Sequence, residues 1–197
     1  IITYDASKES NYVIKLDGLD NFVLQNITVE AKNNHYGRLI EIENHVNNSL
    51  FYGNIFKGIA TQEDNDSIAL IYYHPESVDS SQVFINNRFT NGSRAIIKEG
   101  HSAATDLLKI RENEFMYQGY GMIIYKRATV MLFEENTIKA NTRQYEGIFI
   151  YFNCDSISIR KNILNARVDG GYFIKTYSRT LYVTNNYVSF SSTTNEL

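Results

Sequence analysis

The chain has 197 residues, of which 43% are hydrophobic and 21% charged, enough for one domain with a substantial core. A net charge of -3 argues against broad attraction to nucleic acid or to an anionic membrane, and no apolar run approaches the roughly 20 residues that a spanning helix needs. Cys154 is alone, which excludes a disulfide frame and a cysteine metal cluster.

The first predicted strand is Tyr12–Asp17. Leu39–Glu43, Ala69–Tyr73, Ala95–Glu99, Met122–Lys126, Ile148–Phe152 and Tyr172–Thr176 repeat it. These runs are β-branched and aromatic, and Asn, Asp, Gly and Ser bound them. Gly37, Gly121, Gly147 and Gly171 sit at or beside the strand start, where a corner suits positive φ. No stretch shows a 3.6-residue apolar period. The single proline, Pro75, falls in the loop HPESVDSS and breaks no strand.

An Asn-x-apolar phrase recurs after these strands, at Asn26, Asn54, Asn87, Asn113, Asn136, Asn162 and Asn186. Successive asparagines lie 23 to 33 residues apart, a spacing that signals a stacked repeat. Strands so far apart cannot pair through tight hairpins, so parallel stacking at about 4.8 Å per coil is expected. The predicted fold is all-β: residues 1–197 form a single right-handed parallel β-helix of about seven coils with an Asn ladder. A propeller is the runner-up, but its blades need about 40–50 residues. In the ladder, each side-chain amide donates to the next coil's amide and satisfies backbone groups at the corner. The start, IITYDASK, has no basic leader, and the chain is read as mature or as part of a longer protein.

Alternation sets the expected faces. Ile14, Ile40, Ala95, Ile97, Met122, Ile124, Ile148, Ile150 and Ile174 are expected inside. Lys15, Glu41, Tyr72, Lys98, Tyr125, Tyr151 and Lys175 form an outward column, beside a second one of Val13, Leu39, Leu70, Ile96, Ile123, Phe149 and Phe173. Tyrosines between lysines suit a sugar chain, with rings on pyranose faces and ammonium groups on acidic substituents. The same columns equally suit a sheet face buried under loops or a neighbouring domain.

The coil pattern resembles the pectin-lyase-like β-helix superfamily over nearly the whole chain. Within it, Ser67–Lys98 and the two following coils, GMIIYKRATVMLFEENTI and EGIFIYFNCDSISIRKNIL, resemble the chondroitinase B and alginate lyase family. That resemblance places a catalytic lysine on Lys98 and its arginine partner on Tyr125, with Lys126 and Arg127 adjacent. It places the family's calcium-binding glutamates near Asp66 and Arg94. An arginine cannot bind a cation, so no cofactor and no metal site are expected, with calcium kept as the alternative that the resemblance implies.

Lyase chemistry needs a carboxylate neutraliser, a base and an acid. The candidate catalytic residues are Lys98, Tyr125 and Arg127, and the candidate substrate-binding residues are Arg94, Tyr72, Lys126, Tyr151, Lys175 and His101. Gly100-His101 is similar to the Gly-His of polygalacturonases, whose paired aspartates are missing here. His74 reads as an exposed loop histidine, and Asp64-Asn65-Asp66 as a polar turn.

Three functions fit: a polysaccharide lyase acting on an acidic polysaccharide, a non-catalytic carbohydrate-binding module, and a structural spacer that trimerises. Each is expected to work secreted, in the periplasm or at a cell surface, with neither nucleic acid nor membrane as partner.

Overall fold

The computed structural model describes residues 1–99, 105–141, 148–167 and 172–191. They form a parallel β-solenoid of about six turns. Two sheets run along it. One has eight strands, from Ile2–Tyr4 through Thr28–Ala31 and Ile55–Lys57 to Tyr187–Ser191. The other has twelve and wraps two faces, because Ile123–Glu134 and Ile148–Arg160 run through the corner between them. The long coils thus show what the short ones conceal: Ile96–Lys98 and Thr105–Arg111 are two parts of one path, both paired to Ile123–Glu134.

The asparagine column explains why this sequence winds. Asn54 donates its backbone N–H and its side-chain Nδ2 to Oδ1 of Asn87, at 2.9 and 3.1 Å. Asn87 does the same to Asn113, Asn113 to Asn136, Asn136 to Asn162 and Asn162 to Asn186. Each amide also donates to a carbonyl of the preceding coil, as Asn87 does to Phe51 O at 2.8 Å. The residue before each rung has positive φ: Gly53, Asn86, Glu112, Glu135, Lys161 and Asn185. A side chain there costs about 1–2 kcal/mol, and the buried amide bonds offset it.

The first coil departs from the expected pattern. Asn26 has φ +55° and occupies the strained slot, while Ile27 stands in the ladder position and gives its N–H to Asn54 Oδ1. Among the described residues the ladder therefore has six rungs, not seven. The alignment slips because Asn is favoured in both adjacent slots, as ladder amide and as left-handed corner.

Phenylalanines stack beside the ladder at the coil spacing. Phe51 and Phe84 lie 4.7 Å apart, Phe56 and Phe89 5.0 Å, and Phe89 and Phe115 4.8 Å. Offset rings at such separations contribute about 0.5–1.5 kcal/mol per pair beyond area burial.

On the first face the true register aligns Ile40, Ile71, Ile96, Ile123, Ile150 and Ile174 as one inward column. The next inward column is Ile42 and Tyr73, then Lys98, Tyr125, Phe152 and Thr176. Between them, facing out, run Glu41, Tyr72, Ile97, Ile124, Tyr151 and Lys175. Lys98 and Tyr125 are therefore one residue out of the expected register, which moves them to the inner face; Ile97 and Ile124 take the opposite face, where Ile97 is still buried as expected, at 1% exposed. The second outward column is not outward either. Leu39, Leu70, Ile96 and Ile123 are buried in the core cluster. The side chains of Ile148, Phe149 and Phe173 lie outside those described.

Candidate functional site

The chemistry-bearing residues gather in two enclosed clusters, around Lys98 and around Arg94, and in two groups on the outer face.

The first enclosed cluster centres on Lys98, which is fully buried. Its strand neighbour Ile96 packs inward, so the two-residue alternation carries Lys98 inward as well. Its Nζ donates to Asp79 Oδ2 and, at 2.9 Å, to Thr105 Oγ1. Thr105 in turn shares a 2.8 Å hydrogen bond with the Tyr125 hydroxyl. The rings of Tyr73 and Tyr125 flank the amine, with centroids 5.7 and 5.4 Å from Nζ. Tyr73 reaches on to Gln82 Oε1 at 3.0 Å. Asp79 comes from the loop after Ile71–Tyr73, where Val78 N donates to Asn44 O and Ser77 N to His74 O. This loop does not simply ride on the surface: Ser77 and Asp79 point into the core, 0% and 2% exposed. Burial pushes the Asp79 carboxyl up, and the Lys98 amine pulls it partly back. Burial also holds the Tyr73 and Tyr125 hydroxyls well above the ordinary tyrosine range. Neither Lys98 nor Tyr125 touches solvent, so the outward placement that a base for a bound polymer requires is corrected.

Arg94 is also enclosed, at 7% exposed. It pairs with Asp64 at 2.6 Å and Asp66 at 2.7 Å, and its guanidinium lies 4.8 Å from the Tyr120 ring centroid. The Asp64–Asp66 segment is the polar turn expected: Asn65 caps a short 3-10 helix, Asp66–Ile68, by accepting from Ser67 N. Burial raises the Asp66 carboxyl, against the pull of Arg94. Arg127 is exposed, at a bulge with φ +64°, a corner that Gly18 and Asn44 occupy in earlier coils. His101 lies outside the described residues.

The outer face carries the remaining candidates in two groups. Near the first coils, Arg38 lies 3.5 Å over the Tyr72 ring and pairs with Glu41 at 2.7 Å. Lys15 pairs with Glu43 at 2.8 Å, and His74 meets Tyr72 edge-on at 6.1 Å. Glu41, Glu43 and His74 offer ligand atoms within 4.8 Å of one another, although both carboxylates already hold cations. The hydrogen bond from Lys15 holds the Glu43 carboxyl below its ordinary range. Glu43 and His74 were legible as a site only by their position two residues beyond Glu41 and Tyr72 on one face.

Near the last coils the face turns aromatic and basic. Tyr151 and Tyr177 are 5.9 Å apart, centroid to centroid. Lys126 Nζ lies 6.0 Å from the Tyr151 ring, and Lys175 Nζ 5.2 Å from the Tyr177 ring. Lys126 also pairs with Glu99 at 3.4 Å. Tyr177 was not among the expected residues; it stands two beyond Lys175, on the same face. Cys154, buried nearby in sequence, has its thiol pushed up to about 11 by burial, which favours the thiol over the nucleophilic thiolate.

No family model matches the chain, and neither curated proteins nor solved structures yield a match. The resemblance to lyase families thus rests on the coil pattern, and the solenoid supports its fold alone.

Proposed function

We propose that the chain is a non-catalytic carbohydrate-binding β-helix that holds an acidic polysaccharide against its outer face. The observation that carries this reading is the repeated ring-and-ammonium pairing of Tyr151 with Lys126 and Tyr177 with Lys175, about one coil apart. A polymer of acidic sugars presents the complementary repeat, an apolar ring face and an anion per unit. The solenoid backbone fixes these side chains on paired strands, so little order is lost on binding. Such a ligand fits a protein that works outside the cell or at its surface.

Cleavage by β-elimination fits less well. It needs a base within hydrogen-bond reach of the sugar, and Lys98 and Tyr125 are enclosed.

Affinity electrophoresis through alginate, pectate and chondroitin tests the reading. Retardation in at least one gel is expected, weakened by Tyr151→Ala and Tyr177→Ala, with no unsaturated product in solution. Migration unchanged in every acidic glycan overturns the binding reading. Product absorbance would restore the lyase reading in its place.

A further inference from the structure

We propose that the Lys98 amine and the Asp79 carboxyl condense into an intramolecular amide, a covalent cross-link inside the solenoid. The two groups touch, and both side chains are fully enclosed. As an ion pair they are poorly provided for. Asp79 Oδ1 is buried and accepts no hydrogen bond from the described residues. A buried carboxylate with one oxygen unsolvated is costly, and an ion pair in an apolar interior offsets its desolvation only when the remaining lone pairs are satisfied. An amide carries no charge, so condensation removes that cost at both residues.

The surroundings supply what the reaction needs. The Nζ–Oδ2 contact lets a proton pass from the ammonium to the carboxylate, which leaves a free amine beside a carboxylic acid. The Nζ lone pair attacks Asp79 Cγ, forming the C–N bond. The hydroxyl of the carboxyl group departs, breaking the C–O bond. The proton shed by nitrogen passes through Thr105 Oγ1, 2.9 Å from Nζ, which the Tyr125 hydroxyl backs at 2.8 Å. That proton leaves with the hydroxyl as water. Amine and acid enter, amide and water result, and no oxidant or outside reagent takes part. The aromatic walls of Tyr73 and Tyr125 keep bulk water from reversing the step. The product ties the 74–80 loop to the Ile96–Lys98 strand across 19 residues.

The test is the intact mass of the full chain, denatured, followed by peptide mapping. The expected mass is lower than that of the sequence by one water, and the map should contain a branched peptide joining Asp79 to Lys98. Lys98→Met and Asp79→Ala should each restore the full mass expected for the variant. A wild-type mass equal to the sequence overturns the proposal. So does loss of water without the branched peptide, since Asp79 precedes Ser80 and a succinimide there would shed water too. The wild-type reading decides alone if the variants do not fold.

Discussion

Asn54 gives two hydrogen bonds to a single oxygen of Asn87, one from its backbone and one from its side chain. Asn87 is therefore a fastener between three coils: it receives from Asn54, gives to Asn113 and reaches back to Phe51 O. Asn87→Ala strands several buried backbone and amide groups, each worth about 1–3 kcal/mol when unpaired. With partial relaxation, the expected loss is about 2–4 kcal/mol, read as a lower urea midpoint. A shift within the scatter of surface substitutions would remove the ladder as a main source of stability.

Tyr125→Phe separates the packing role of this residue from a catalytic one. The ring keeps its place against Tyr73, 5.7 Å away, and only the hydroxyl bonded to Thr105 is lost. The expected cost is about 1 kcal/mol of stability, with glycan retention unchanged. Loss of retention in a folded variant would contradict the enclosed position of Tyr125.

Tyr151→Ala and Tyr177→Ala should do the opposite. Ring contacts with sugars and cations on an exposed face are worth about 0.5–1.5 kcal/mol. Each variant should therefore weaken retention by about threefold to tenfold and leave the unfolding midpoint nearly in place. Lowering the ionic strength should tighten wild-type retention, because Lys126 and Lys175 act through screened charges.

Glu135 gives a pH dependence of known sign. Hydrogen bonds from Arg111, at 2.8 and 3.0 Å, and from Lys161, at 3.2 Å, hold its carboxyl below the ordinary glutamate range. A depressed folded value contributes stability that is present above the unfolded value of about 4.3 and is lost as pH falls through the folded one. Glu135→Gln should therefore flatten the acid limb of the stability curve below about pH 4.3. Equal acid limbs for wild type and variant would refute the assignment.

Gly119 is a steric requirement. A Cβ there would stand 1.9 Å from Thr61 O, a backbone atom that cannot swing aside. Gly119→Ala should cost about 1–3 kcal/mol through backbone displacement, visible as a lower midpoint of thermal unfolding.

The repeat, the parallel stacking and the amide column were legible because each recurs from coil to coil, so a single error such as the one at Asn26 does not erase the pattern. The faces were less secure. Ile71-Tyr72-Tyr73, Ile96-Ile97-Lys98, Ile123-Ile124-Tyr125 and Ile150-Tyr151-Phe152 align once their leading isoleucines are superposed. Matching Lys98 to the charged outward residues of other coils instead shifts it by one, and a period of two turns that shift into a change of side. Charge suggested outside. The partner that makes an interior lysine tolerable, Asp79, lies 19 residues away in a loop, and no local pattern announces it. Tyr177 lies one residue past the strand that the sequence predicts, Tyr172–Thr176, while the strand itself runs Tyr172–Tyr177.

The amide column points one way. From Asn54 to Asn162, every rung gives its backbone N–H and one amide hydrogen to the rung that follows it in the chain. A ribosome delivers the earlier turn first, and that turn's donors then wait for an acceptor not yet made. Winding should accordingly trail synthesis by one full turn, with each newly emerged segment closing the one before it.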